Sequence, residues 1–555
     1  MVVKKSILFV VLMFCALFIN AQNILLDDIG LMDHQRNAQL LNDSIHFTNN
    51  SFLIRSTSHL QYLQDTKKSS NKFRIRSLSF SYDQQNNSLL PESWNDGIIY
   101  PARGWQERYS VGANIRWGIL DINVQPEWLK VQNIPQEPYY GNPNDGNWGA
   151  KYFGYVANNI SNFRQFGNTK IDTTTLGQSR IGISTKYFAA GVSNENIWWG
   201  PGKRNSVVFT NNAGGFKHMY LHTNEPIPTP IGNVELATII GVLDTTRYTD
   251  PDVGLLSGWK DGIALKNPSK RNINGITLNW NPKWIPGFYL GYAYSRQYYN
   301  DQVNYAGEPL HFFSKDLVKT EIGSFMFRFA LPKDHAEFYG EMGLPNQAAW
   351  PWKFFQSNPK TAFVFGGSKQ FLFNKGKSYL NLNVEFAQFQ IMDPRNIYYL
   401  GAPWVGGPPN SWYVNPTIKQ GYSNNGQIMG ASIGPGSNSQ SIDFSWNRGY
   451  NKIGFSAERI IHNNDFYYLV YLKPYDAQYG YYNRYWVDVN TSVYAQIMPI
   501  KNIIIAASIM NTNALNYMWV RYEDGHVYDE PSKLSDKFNS QIKLSVKYLL
   551  HAVVK

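Results

Sequence analysis

The feature that most constrains this chain is a two-residue alternation of apolar and polar side chains, recurring along most of its 555 residues. Phe325, Phe327 and Phe329 alternate with Ser324, Met326 and Arg328; Leu380, Leu382, Val384 and Phe386 alternate with Tyr379, Asn381, Asn383 and Glu385. Val487, Val489, Val493 and Ala495 do the same against Asp488, Asn490, Ser492 and Gln496. Successive side chains of a strand point to opposite faces, so each segment has one apolar and one strongly polar face. A soluble sandwich would turn the polar face to water. An outer-membrane barrel would turn the apolar face to lipid and the polar face to its lumen. Alternation alone does not separate the two.

The connections do. Tight links stand at Trp117-Gly118, Pro332-Lys333-Asp334, Asn374-Lys375-Gly376-Lys377 and Pro499-Ile500-Lys501-Asn502. Long polar-aromatic stretches lie near 131–177, 244–272, 297–319, 344–360, 391–428 and 511–540. Short turns at one end and long loops at the other describe a transmembrane barrel, whereas a sandwich rarely carries so many long loops. Strands of roughly 10 residues would number about 16–20, and closing them leaves no backbone group unpaired in lipid. Ile542 to Leu550 suits a closing strand.

Composition agrees. Only 16% of residues are charged and 15% are aromatic, the reverse of a disordered chain. No 18-residue apolar run occurs beyond the N-terminus, which excludes a helical membrane protein. Residues 1–21 read as a secretory signal, with Lys4 and Lys5 before an apolar core from Ile7 to Ile19. Cys15, the single cysteine, lies inside that core. Cleavage before Gln22 would leave no thiol for disulfides, catalysis or metal, and would take the net charge from +11 to +9. Scattered basic residues on a secreted chain argue against nucleic acid as a partner. Residues 22–72 read as one or two short helices, capped by Asp27 and Asp28, with Leu31, Ala38 and Leu41 near helical spacing. The barrel then occupies 73–555.

Enzyme signatures are absent: no serine elbow, no His-Glu-x-x-His, no phosphate loop. Gly434-Pro435-Gly436-Ser437-Asn438-Ser439 lacks the lysine and helix of a phosphate loop and reads as a turn between strands. Arg328, Glu385, Asp443, Glu458 and Asp488 read as a polar lumen whose ion pairs rigidify or plug the barrel. No residues are set aside for a metal or cofactor. The densest segment runs from Ser193 to Phe216. Its Trp198 and Trp199 offer flat faces for sugar rings, while Asn194, Glu195, Asn196 and Arg204 offer hydrogen bonds to vicinal hydroxyls. The competing reading is an interfacial tryptophan pair before a rigid Gly200-Pro201-Gly202 turn. A second aromatic stretch, Trp404 to Tyr422 with Trp412 and Tyr413, is expected in a surface loop.

These blocks also resemble a known family. Asp96-Gly97-Ile98-Ile99-Tyr100-Pro101-Ala102-Arg103-Gly104 with Gln125-Pro126-Glu127 resembles the early block of the capsule-assembly Wzi family. Gly177-Gln178-Ser179, the Ser193–Phe216 stretch and Thr229-Pro230-Ile231-Gly232 resemble its central block. Gly434 to Gln440, Glu458-Arg459 and His462 to Phe466 resemble the C-terminal part of Bacteroidetes-type members. The resemblance implies an outer-membrane barrel of about 18 antiparallel strands with an N-terminal helical element. It also implies a lectin-like role, holding capsular or surface polysaccharide at the cell surface. Outer-membrane lipid is an expected partner, and contact with the polysaccharide export machinery is left open. The expectation is thus a non-enzymatic, all-β outer-membrane barrel. Its alternatives are a porin-like channel for small solutes and an outer-membrane hydrolase.

Overall fold

The computed structural model describes residues 29–41, 49–55, 73–136, 156–246 (without 163), 248, 268–302, 319–346, 351–391 (without 357 and 359), 411–471, 485–519 and 536–550. The expected signal segment, Cys15 and the capping residues Asp27 and Asp28 lie outside them.

The alternating segments form one closed antiparallel barrel of 18 strands. The first six are β1 (Phe73–Asn87), β2 (Gly104–Trp117), β3 (Leu120–Val124 and Glu127–Val131), β4 (Ile171–Thr175 and Arg180–Ser184), β5 (Phe188–Ser193) and β6 (Lys217–Thr223). The next six are β7 (Gly232–Leu243), β8 (Arg271–Pro282), β9 (Phe288–Tyr299), β10 (Thr320–Leu331), β11 (Ala336–Pro345) and β12 (Ala362–Phe373). The last six are β13 (Ser378–Gln388), β14 (Asn438–Arg448), β15 (Asn451–Ile461), β16 (Val487–Ile500), β17 (Ile503–Leu515) and β18 (Lys537–Leu550). Closure comes from β18 lying against β1, in register from Leu78 opposite Leu550 to Asn87 opposite Gln541. Lipid requires this, since an open edge would leave a row of unpaired amides.

The two faces divide as the alternation predicts. Arg328 is fully buried toward the lumen, whereas its outward neighbours Phe327 and Phe329 are not. Phe365, Phe386 and Ile509 expose about half their surface outward. Trp117 and Trp284 ring the short-turn end and Trp105 and Phe538 the long-loop end, where indole and phenyl groups sit at a membrane interface. By the rule for such barrels the short turns face the periplasm and the long loops face outward.

The expected tight turns stand where they were read. The long connection expected over 131–177 contains the first part of β4, Ile171–Thr175. That segment (Ile-Asp-Thr-Thr-Thr) has too little apolar contrast to show its alternation. Three further long connections, 88–103, 194–216 and, in its described parts 462–471 and 485–486, the one between β15 and β16, fold at the outer end or down into the lumen. The glycine-rich Gly434–Ser437 run leads directly into β14 at Asn438.

One helix, α1 (Ile29–Leu40), is described ahead of the barrel. Met32, Gln35, Arg36, Asn37, Gln39 and Leu40 are all buried, an unusual mixture for a helix. The reason is its location inside a polar lumen, where buried amide and guanidinium groups find partners on the wall. Leu40 C=O lies 2.9 Å from Nδ1 of His335 in the short turn between β10 and β11, which puts this end of the helix at the periplasmic rim.

Candidate functional site

The lumen is occupied by chain from both ends. From the periplasmic side come α1 and residues 49–55; from the outer side comes the 194–216 loop. The two meet in a short antiparallel pairing of Ile54-Arg55 with Trp198-Trp199. They also meet at one carboxylate on the wall. Glu337 Oε2 accepts from Arg36 Nε of α1 at 2.9 Å and from Arg328 Nε at 2.8 Å, while Oε1 lies 3.2 Å from Lys203 Nζ of the outer loop. Arg36 also donates to Pro201 C=O at 2.6 Å.

Other lumen acids seat the same loop. Glu385 accepts the backbone N–H groups of Lys203 at 2.6 Å and Asn205 at 2.8 Å, and Tyr339 OH at 2.9 Å. Glu341 accepts Ser206 OH at 2.9 Å, and Glu458 binds Arg204 at 2.5 Å. Asp443 accepts Tyr494 OH at 2.6 Å and Asp488 pairs with His462 at 2.7 Å. The polar interior is therefore a socket for the plug, with few ion pairs that simply span it.

Each sugar-site candidate from the sequence has a definite place in this packing. Trp198 and Trp199 are 1% exposed, Trp412 is fully buried and Tyr413 is 1% exposed. The expectation that Trp412 and Tyr413 stand on a surface loop is corrected: their loop folds inward. Trp412 donates its indole N–H to Lys360 C=O at 2.9 Å, and Tyr413 OH donates to Val207 C=O at 2.9 Å. Wall glycines make room for these rings. A Cβ at Gly343 would lie 3.0 Å from the Trp412 ring, and one at Gly275 2.9 Å from that of Trp199. Residues 404–410 of the stretch lie outside the described residues.

Glu195 is buried against Arg180 at 2.5 Å, and Arg180 also holds Asp121 at 2.9 Å. Burial raises the Glu195 carboxyl, against the pull of Arg180. Asn194 Nδ2 donates to Gly177 C=O at 3.1 Å and Asn196 Nδ2 to Ala213 C=O at 3.1 Å. Trp199, Trp412 and Tyr413 share one apolar cluster inside the plug. Trp198 faces the other way, with Arg55 4.5 Å over its ring.

Aromatic faces that do reach the outer surface lie elsewhere, above β15 to β17. Helix α2 (Asn464–Tyr471) follows β15, and its Phe466 and Tyr467 pack with Met518 and Trp519 as a buried floor. Tyr468, Tyr485, Trp486 and Tyr517 lie partly exposed on that floor. Trp486 stacks on His462 at 4.1 Å and donates to Asp488 at 2.7 Å; Arg164 sits 5.4 Å over Tyr517. Asp465 of α2 accepts Ser411 OH at 2.5 Å and Ile391 N–H at 2.9 Å, and burial pushes its carboxyl up to about 7. The density of Phe466-Tyr467-Tyr468, Tyr485-Trp486 and Tyr517 to Trp519 is visible in the sequence. Only the fold shows that these three segments meet.

A closed barrel with short turns inside, long loops outside, aromatic girdles at both ends and a filled lumen is an integral outer-membrane protein. The profile of the capsule assembly protein Wzi family matches residues 136–264. Among solved structures, Wzi of Escherichia coli is described as an outer-membrane protein involved in group 1 capsule assembly and a carbohydrate-binding β-barrel. It is similar with a TM-score of 0.53 at 12% identity over 88% of each chain. At that identity the likeness is one of fold. Acinetobacter baumannii OccAB2 has a TM-score of 0.40 at 8% identity, covering 87% of this chain and 100% of its own. Pseudomonas aeruginosa OprD has a TM-score of 0.39 at 9% identity, covering 88% and 98%. No protein of curated function matches the chain in sequence.

Proposed function

We propose that this barrel holds exported capsular or surface polysaccharide at the outer face of the cell, without catalysing a reaction. The observation that carries the proposal is the pairing of a plugged lumen with a rim of aromatic faces and hydrogen-bonding groups at the outer end. A plug tied to the wall by Glu337, Glu341, Glu385 and Glu458 suits an anchor better than a conduit. Tyr468, Tyr485, Trp486 and Tyr517 supply faces for sugar rings, and Arg164 and His462 supply polar contacts beside them. The relative in Escherichia coli, described as carbohydrate-binding, supports the same class of ligand.

In this reading Asn194, Glu195, Asn196, Trp199, Arg204, Trp412 and Tyr413 act as positioning residues that hold the outer loops. The test is binding of the cell's own surface polysaccharide to purified barrel. Trp486→Ala with Tyr517→Ala should weaken binding about thirtyfold, as loss of an aromatic anchor does, while the melting temperature holds. Unchanged affinity in a folded double variant would contradict the rim assignment.

A further inference from the structure

Beside the plug the lumen keeps a polar cavity of about 370 Å³, bounded by α1, the 95–97 turn, Trp198 and the wall from β13 round to β2. It reaches the periplasmic end at Gly449 and Tyr450 and the inner side of the 194–216 loop at Asn196 and Asn211. Five cationic side chains line it against three carboxylates. All three carboxylates already face cations: Asp83 binds Arg108 at 2.7 Å, Asp96 binds Lys543 at 2.7 Å and Asp33 of α1 lies 3.6 Å from Arg55.

Several buried polar atoms around this cavity have no hydrogen-bond partner. Trp198, 1% exposed, has an unpartnered indole N–H. Arg55, 2% exposed, uses Nη2 on Gly200 and Gly202 C=O, but its Nε and Nη1 make no hydrogen bond; Asp33 lies 3.6 Å from Nη1. On the accepting side, Gln85 Oε1 and Asn95 Oδ1 are equally unpartnered. Lys452 lies 4.8 Å over the Tyr494 ring and has no carboxylate partner among the described residues. Buried donors and acceptors are paired in almost every protein; unpaired ones occur at many points of this lumen, and those of Arg55, Trp198, Gln85 and Asn95 belong to side chains that line one enclosed space.

We infer that this cavity is a second ligand site, open to the periplasmic side, for a small hydroxylated carboxylate of the sugar-acid class. The guanidinium of Arg55 and the indole N–H of Trp198 form a donor pair for the carboxylate, reinforced by Lys452. Gln85 Oε1 and Asn95 Oδ1 accept from hydroxyl groups. Burial lowers Arg55 to about 10, which still leaves it charged at neutral pH. The site is separate from the outer rim and does not depend on the polysaccharide reading above.

Calorimetry on the full chain in detergent micelles, titrated with sodium glucuronate, tests it. The expected result is saturable binding, with glucose and inorganic phosphate each about tenfold weaker or more, since each satisfies only one half of the polar set. Trp198→Phe keeps an aromatic ring and removes the N–H; Lys452→Gln keeps the stem and removes the charge. Each should weaken glucuronate about tenfold in a barrel that stays heat-modifiable. Should Trp198→Phe fail to assemble, Lys452→Gln, half-buried on the wall, decides alone. Absence of saturation, glucose or phosphate binding as tightly as glucuronate, or folded variants binding as the parent does would each overturn the assignment.

Discussion

Replacing Glu337 by Gln removes the one charge on which the inner and outer parts of the plug converge. Arg36 and Arg328 each lose a charge-assisted hydrogen bond, of 2.9 and 2.8 Å, and Lys203 loses an ion-pair partner at 3.2 Å. Neutral acceptors remain: Pro201 C=O for Arg36, Gln39 Oε1 for Arg328 and Ser368 Oγ for Lys203. Two lost charged bonds of about 1.5–3 kcal/mol each give a net cost of about 3–5 kcal/mol, the range for breaking a buried pair. The backbone ladder of β10 with β11 is untouched, so the cost falls on plug seating and not on closure of the barrel. The assay is conductance in a planar bilayer. The parent protein should be silent, and Glu337→Gln should show stepwise openings while remaining heat-modifiable. A variant as silent as the parent, with equal protection of the plug from protease, would refute the reasoning.

The other predictions concern the lipid face, pH and the buried tryptophans. Phe327→Arg puts a cation on the outward face of β10 and should impair assembly by about 2–4 kcal/mol near mid-bilayer, read as loss of the heat-modifiable band; normal assembly would contradict the assigned face. Asp465, pushed up to about 7 by burial, keeps in the folded state a proton that the unfolded chain releases near 3.9. Its stabilising effect is therefore complete below about pH 4 and lost as pH rises from there to about 7, so Asp465→Asn should flatten the fall in melting temperature between about pH 4 and 7; an unaltered slope would contradict this. Trp198→Ala with Trp199→Ala should lower the melting temperature by opening a cavity of about 3–5 kcal/mol per indole, with polysaccharide affinity of the folded fraction unchanged; lost affinity at parental stability would return the sugar site to this pair.

Lipid and lumen make the wall readable. The Phe325–Phe329 alternation survives into the fold because the outward phenylalanines face away from the lumen while Ser324, Met326 and Arg328 are buried against the plug side. The turns at Pro332–Asp334 and Asn374–Gly376 are legible for a related reason: at the short-turn end of such a barrel the strands reverse within a few residues. The plug is not readable in this way. A segment that must fit a lumen lined by Glu337, Glu341, Glu385 and Glu458 needs indoles, amides and guanidinium groups. Those are the same side chains that a sugar site needs, so Trp198-Trp199 and Trp412-Tyr413 carry both meanings until their burial is known. The rim cluster is hidden for the opposite reason, its three aromatic segments being spread over two connections that only the pairing of β15, β16 and β17 brings together. The unpartnered atoms of the inner cavity come from Arg55, Gln85, Asn95 and Trp198, which no spacing rule relates.

Where the polysaccharide goes when this chain is absent tests the anchoring role most directly. The measurement is the ratio of cell-associated to released surface polysaccharide in a deletion strain, beside the same strain carrying the parent gene. An anchor predicts unchanged total polysaccharide with a shift from cells to medium, reversed by the parent protein. An unchanged ratio, or loss of the polymer altogether, would contradict it.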